Sequence, residues 1–492
     1  MKKGVIAAAV AIAVVGMVVA AVPIVQEYAA TRIKAEIERG GGATVGAVEV
    51  GLLDRRIALR DVKSTRGAEI SIGRWEASGL AWPLEELLRG RTPLAGFRWG
   101  DPLRAERIEV RDARMVDHAV GTDWSLSALV IDGFDLARFD PDYEGPYRFQ
   151  ALSARAMAAL SIRRFEQGNA VFAMPGSGDT FGVATTVIER YEGGRVATIV
   201  SRGIEAMAKD GKAPLFKIGD IETNGLDVRR ILAAFSSNEW RPGAPIGQIK
   251  VERASASGFG GDTLSRYGVS LGSVTIETVR ESDQISHSRA RIDGFALAPP
   301  LRSLESLQLR LALQAMGLRE LRLGFDCAGT EDRARAEITI DRCALTGPDL
   351  AEINLTGRII GADEAFWHAV DEGDSAAFYE SKAALASARL VLADRSLLER
   401  SLKALAATTG QPVSAIRANL ARDIRRFQPA GVLITQGLAQ LLDSTARFVE
   451  QGGTLTFDAR PEPPLALDRL DYLTSPGADL VNALGLSATL AR

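Results

Sequence analysis

Ser270 sits in Gly268-Val-Ser-Leu-Gly272, the G-x-S-x-G spacing that can mount a nucleophilic serine for acyl transfer. That chemistry needs a strand, a sharp turn and then a helix, so that the hydroxyl stands at a helix N-terminus. The residues that follow, Ser273-Val-Thr-Ile-Glu-Thr-Val279, are strand-like, and so short a pattern recurs by accident in a chain with 48 glycines. Ser270 therefore reads as an ordinary serine at a strand edge. His368 lies four residues after Glu364 and three before Asp371, which puts an imidazole and two carboxylates on one helix face. A divalent metal needs more than this, and there is neither H-E-x-x-H nor a second histidine nearby, so a solvated helix face is expected. His118 and His287 have no partners close in sequence. No dinucleotide fingerprint, Walker A sequence, EF-hand loop or C-x-x-C is present. No catalytic residue, metal ligand or cofactor is assigned, and the chain is expected not to be an enzyme.

The two cysteines, Cys327 and Cys343, each end a strand-like stretch and are candidates for a disulfide in an oxidising compartment. Register stands against it. A turn near Asp332 pairs Cys327 with a residue near 336 or 337, so a bridge requires a further bend or bulge.

The elements that carry these residues begin with an uncharged run, Gly4 to Gln26, preceded by Lys2 and Lys3. At about 1.5 Å per residue such a run crosses a hydrocarbon core of roughly 30 Å, and the lysines favour a cytoplasmic N-terminus. A cleavable signal peptide is the competing reading, with Val19-Ala20-Ala21 before the cut, but the run exceeds the usual signal core of about 7–15 residues. Either way the bulk of the chain leaves the cytoplasm. Residues 1–28 are assigned to a transmembrane anchor. Residues 29–42, with Ile33 and Ile37 four apart and Gly40-Gly41-Gly42 at the stop, are assigned to a short juxtamembrane helix.

Strand signals fill residues 43–361. Val45 to Ser64 alternates as Val48-Val50-Leu52 and Ile57-Leu59 around Asp54-Arg55-Arg56, the pattern of a hairpin with one apolar face. Leu307-Gln-Leu-Arg-Leu-Ala-Leu313, Leu321–Phe325 and Ala336–Ile340 read as a three-strand meander. Ile72-Gly-Arg-Trp-Glu-Ala-Ser-Gly-Leu80 and Ile218-Gly-Asp-Ile-Glu-Thr-Asn-Gly-Leu226 repeat one another, and each leads into a short helical stretch, Pro83–Leu88 and Val228–Phe235. Repeated β units of this kind extend into long sheets. From 362 to 492 the pattern turns helical. Leu398, Leu402 and Leu405 form one stripe, Ile416, Leu420, Ile424 and Phe427 a second behind Ser414 as cap, and Thr435–Gly453 a third amphipathic helix. The expected fold class is α+β, mainly β. It comprises an N-terminal transmembrane helix, an extended curved antiparallel sheet of repeated strand-plus-short-helix units, and a C-terminal α+β module. A net charge of −3 with mixed signs gives no nucleic-acid footprint.

The order of a span, a short helix, then Val45–Ser64, Ile70–Gly90 and Leu103–Met115 resembles the AsmA-like proteins of Gram-negative envelopes over about residues 1–300. That resemblance implies a bacterial inner-membrane protein with its bulk in the periplasm, serving phospholipid traffic toward the outer membrane or outer-membrane assembly. It also implies a groove-shaped sheet that shields acyl chains. The chain is shorter than the larger members and ends in a helical module. On this reading Val48, Val50, Leu52, Ile57, Leu59, Leu307, Leu309 and Leu311 are candidates for a lipid-facing surface, at about 0.8 kcal/mol per CH₂ kept from water. The plainer reading makes the same side chains the core beneath helices. The expected partners are the membrane, phospholipid and envelope proteins. A non-enzymatic scaffold docking partners through its C-terminal helices is the alternative function.

Overall fold

The computed structural model describes residues 22–39, 41–65, 68–81, 98–118, 121–238, 240–241, 249–301, 304–372, 381–427, 435–469 and 479–491. The chain divides into two compact units, Met1–Pro214 with Asn224–Ala244, and Leu215–Thr223 with Pro245–Arg492. The division falls inside 43–361, the stretch expected to form one β-rich region. Most of the expected span, Gly4–Gln26, lies outside the described residues, and no helix among the described residues is long and apolar enough to cross a membrane. The expected helix at Pro83–Leu88 also lies outside them.

The first unit opens with a helix, α1, at residues 22–39. Its strands are β1 (Ala43–Thr44), β2 (Ala47–Gly51), β3 (Arg56–Ser64), β4 (Glu69–Ser78), β5 (Leu103–Asp117) and β6 (Thr122–Leu136). After α2 (Arg148–Ala159) come β7 (Leu160–Gln167), β8 (Ala170–Ala173), β9 (Thr180–Glu192) and β10 (Arg195–Met207). All pairing is antiparallel: β1 and β2 lie on β3, the order continues β3–β4–β5–β6, β7 and β8 both join β6 to β9, and β10 follows. β11 (Pro214–Asp227) is divided between the units, and α3 (Arg229–Ser236) returns to the first. α3 realises the helical stretch expected after the second repeat.

The repeat itself has a steric cause. Gly73 stands opposite Asp112, which is left-handed at φ +52°, and a Cβ on Gly73 would lie 3.1 Å from the Asp112 Cβ. Gly219 meets Gly258, left-handed at φ +71°, in the same way. Each motif is thus a crossing point where neighbouring strands kink together, and glycine leaves room for the approach. Across the kink the apolar positions advance by three, so Val110 and Ala113 share one cluster with Ile72, Leu126 and Leu129.

The second unit contains β12 (Arg253–Ser257), α4 (Asp262–Tyr267), β13 (Val269–Ser270), β14 (Ser273–Arg280), β15 (Ile285–Leu297) and α5 (Leu307–Ala315). Next are β16 (Leu321–Asp332), β17 (Glu337–Gly347), β18 (Ala351–Ile360), α6 (Glu364–Glu372), β19 (Ala384–Asp394), α7 (Leu397–Thr409), α8 (Val413–Arg425) and α9 (Gln436–Gln451). It ends with β20 (Thr454–Ala459), β21 (Leu465–Ala466), α10 (Leu480–Ala483) and β22 (Leu486–Ala491). Its antiparallel order is β12–β14–β15–β16–β17–β18–β19–β20–β22, with β13 on β15 and β21 on β19.

Leu307–Leu313 is therefore corrected from strand to helix, and the strand beside β16 is β15. The segment holds no β-branched residue and is rich in Leu, Gln, Arg and Ala, all good helix formers. Leu313 is buried in α5 while Leu311 is exposed. The three expected C-terminal helices are α7, α8 and α9. Pro412, not Ser414, precedes α8, and Thr435 caps α9 by accepting from the Leu438 amide. Arg417 ties them together, donating to the Val449 carbonyl at 2.7 Å and pairing with Glu399.

Candidate functional site

Strand residues that pair directly point to the same side of a sheet, so register defines rows of side chains. In the first unit Ile57, Ala77, Ile108, Ile131, Phe165, Ile188 and Ile199 form one row from β3 to β10. Beyond the kink Ile72, Ala113, Leu126, Ala170, Val183 and Ile204 form a second, and Ile70, Met115, Trp124, Phe172, Phe181 and Ala206 a third. In the second unit Val274, Ile292, Phe325, Leu345, Ile353, Leu392, Leu455 and Leu490 form an unbroken apolar row from β14 to β22. Beside it runs Ile276, Ala290, Cys327, Cys343, Leu355, Leu390, Phe457 and Ala488.

These rows are only partly closed. In the first unit Ile70, Phe172 and Phe181 remain exposed, Phe172 at 43%. In the second, Ile276, Leu345, Ile353 and Leu390 do so, Ile276 at 50%. Leu455 is fully buried, at 1%. Small residues such as Ala113 and Ala170 are buried between larger neighbours, so the exposed area belongs to the bulky side chains.

The opposite face is ionic. Arg107, Asp132, Arg164 and Glu189 stand opposite one another across β5, β6, β7 and β9, with Arg107 3.0 Å from Asp132 and Arg164 paired to Glu189. In the second unit Arg289 grips Asp326 through two bonds of 2.8 and 2.6 Å, and Arg358 and Glu337 form a second pair. Arg289 and Arg358 hold their partner carboxylates below the usual range by donating to the charged form. At the end of β11 the Arg229 guanidinium lowers Asp227 to about 2. Paired, half-exposed charges dominate this face, while the other presents bulky apolar side chains to solvent.

The eight side chains expected to face lipid do not form one surface. Val50 and Ile57 are buried beneath α1 with Ala29, Ile33, Ala77, Leu80 and Ala105, while Val48, Leu52 and Leu59 pack against the same cluster. The helix expected as a stalk is folded down onto the hairpin, its Lys34 ammonium donating to the Gly46 carbonyl at 3.0 Å. Leu307, Leu309 and Leu311 lie on α5 and line no strand row. The first unit's exposed apolar rows were missed. Their signal, Trp124-x-Leu126 followed by Leu129-x-Ile131, is hidden by the three-residue step.

Cys327 faces Cys343 directly, Cα to Cα 3.8 Å, and the two are joined as a disulfide within the second apolar row. Register, expected to keep the two cysteines apart, instead places them opposite one another. The turn lies later than expected, at residues 333–336 with Asp332 opposite Glu337, which by itself places 327 opposite 342, and Asp341 then bulges out between Ile340 and Arg342. That one extra residue brings position 343 opposite 327.

Ser270 lies in a strand, opposite Ala296. Its flanking glycines serve backbone contact: a Cβ on Gly268, left-handed at φ +69°, would lie 2.0 Å from the Ala298 carbonyl oxygen. His368 falls on α6 as expected, and no metal-binding cluster occurs among the described residues.

A family model described only as an uncharacterized protein matches residues 344–490, from within β17 to β22. The matched segment therefore joins the helical module to β18 and part of β17, strands placed before 362 in the sequence reading. No curated protein matches the chain.

Proposed function

We propose that this is a membrane-anchored protein that holds or guides phospholipid acyl chains along the apolar strand rows, in service of envelope biogenesis. One observation carries the reading: continuous apolar rows, such as Val274 to Leu490, in which bulky members including Leu345 and Ile353 keep surface in solvent although Leu455 is closed over. A soluble sheet with nothing to bind would cover such rows or interrupt them with polar residues. An acyl chain laid across them is kept from water at about 0.8 kcal/mol per CH₂, so a chain of ordinary length is held without a single polar contact. The ion-paired face supplies solubility on the other side. The chain acts by binding, and no residue is assigned a chemical step.

The test is lipid mass spectrometry on the full-length protein extracted gently from membranes. Phospholipid should co-purify, and Phe172→Asp with Ile353→Asp should strip it without unfolding the sheets, because both side chains are already partly in solvent. Wild-type protein that carries no phospholipid overturns the reading. A scaffold role has one observation in its favour: Leu405 on α7, Leu420 on α8 and Phe427 just beyond it are exposed. Stable protein partners captured without lipid would favour that role.

A further inference from the structure

We infer that one end of the first unit's sheet, carrying Leu53, Trp99 and Phe149, rests in the interfacial layer of the bilayer that holds the N-terminal segment. This inference rests on the anchored reading of Gly4–Gln26 and adds the surface by which the folded part meets the membrane.

The direction of α1 decides which end that is. Its C-terminal half is fixed beside the start of β2: Lys34 donates to the Gly46 carbonyl, and the Glu38 carboxylate accepts from the Val45 amide at 3.2 Å. Earlier in the helix, Ala29 shares a cluster with Val50, Ile57 and Ala77, where the β2–β3 hairpin turns. The helix therefore runs antiparallel to β2, and its N-terminus points past the hairpin tip. From Ala29 back to Ile24 it climbs about 8 Å, while the hairpin continues past Val50 through Gly51 into the turn of residues 52–55 that carries Leu53. Leu53 thus reaches the level at which the apolar N-terminal run ends.

The strand connections at this end carry large apolar side chains in solvent. Leu53 at the β2–β3 tip is 92% exposed and Phe149, in the first turn of α2, 81%. Trp99, half-exposed, meets Phe139 edge-on at 5.8 Å, and the Phe139 amide donates to the Gly100 carbonyl. Hydrogen bonds place these connections together, with Gly79 on the Asp54 carbonyl, Ala81 on that of Arg104 and Ala137 on that of Ala159. Ile24 and Tyr28 on α1 add exposed apolar surface on the same side.

The described connections at the other end of the same strands, Pro175-Gly-Ser-Gly-Asp179 after β8 and Ala208-Lys-Asp-Gly-Lys-Ala213 after β10, have only Met174 beside them as a large exposed apolar side chain. At this end Leu53, Trp99 and Phe149 all stand out among charged neighbours such as Asp54, Arg55, Arg98 and Arg148. Exposed leucine, phenylalanine and tryptophan gathered where a chain leaves an apolar run fit the interfacial belt of a bilayer, where indole and phenyl rings settle near the headgroups. A sheet standing on this end has its apolar rows beginning at the lipid.

The full-length protein, reconstituted in nanodiscs of phosphatidylethanolamine and phosphatidylglycerol, tests the inference when a benzophenone amino acid replaces Leu53, Trp99 or, as control, Ser177. After irradiation the first two positions should yield phospholipid adducts about tenfold above Ser177. Equal or absent adducts at 53 and 99, with the protein still floating with its discs after an alkaline wash, overturn this inference and leave the anchor standing. Protein that does not float overturns the anchor and this inference with it. Leu53 is so exposed that its replacement leaves the fold intact, which denaturation of each variant verifies.

Discussion

Replacing Ile33 by alanine should loosen the first hairpin. Ile33 is 1% exposed and seals the cluster formed by Ala29, Val50, Ile57, Ala77, Leu80 and Ala105. Three carbons are removed, costing about 2.4 kcal/mol in transfer free energy at about 0.8 kcal/mol each. Three of the neighbours are alanines that cannot extend into the space, so a cavity cost adds to this, within the ~2–5 kcal/mol range of such truncations. Alanine returns about 0.4 kcal/mol through its higher helix propensity. The net loss is about 3 kcal/mol, confined to α1 and β2–β4. Hydrogen exchange on the full-length protein reads it locally: slow amides of β2 and β3 should exchange about a hundredfold faster, since about 1.4 kcal/mol is a factor of ten. Ile24→Ala, at a position 71% exposed, is the matched control and should change nothing in the hairpin. Exchange altered less than about fivefold by Ile33→Ala would mean that α1 does not cover this face, and Val50 and Ile57 would return as candidate lipid contacts.

Three further outcomes follow from the geometry. The Asp227 carboxyl is lowered from 3.8 to about 2, so its stabilisation is whole above pH 4 and disappears as the pH falls through about 2. It amounts to about 2 kcal/mol at most, and the stability difference between wild type and Asp227→Asn, followed from pH 5 to pH 2, should shrink accordingly. Cys343→Ser opens a loop of 16 residues and should lower the unfolding free energy of the second unit by about 3 kcal/mol, with reducing agent doing the same to wild type and nothing to the variant. Gly268→Ala should destabilise by well over 1 kcal/mol in thermal denaturation, whereas Ser270→Ala should be silent, because the glycine and not the hydroxyl is required there.

The sequence disclosed the hairpin, the amphipathic C-terminal helices and the strand-rich character, because each shows its period over several residues. It misled where two periods coincide. Leu307, Leu309, Leu311 and Leu313 alternate like a strand, yet in a helix the same spacing puts 307 with 311 and 309 with 313, and only composition distinguishes the cases. The apolar rows were illegible for a different reason. Left-handed Asp61 and Asp112 shift the facing positions by one, so a two-residue template loses the face midway along β3 and β5. A single bulged residue, Asp341, likewise decides the cysteine pairing. Coverage by α1 depends on contacts between elements that no local pattern records.

Trp124 reports directly on whether acyl chains occupy the apolar rows. It lies in the row with Phe172 and Phe181, with its ring 6.5 Å from that of Phe172. Along β6 it stands about 40 Å from the Leu136 end. On the proposed anchoring, a lipid that reaches Trp124 is therefore on the protein and not in the bilayer. Full-length protein supplied with phospholipid brominated on its acyl chains should show quenched tryptophan emission, and the part of that quenching lost in Trp124→Phe belongs to this row. Acyl chains lying on this row give a large Trp124 share; quenching identical in wild type and Trp124→Phe means that no acyl chain lies there.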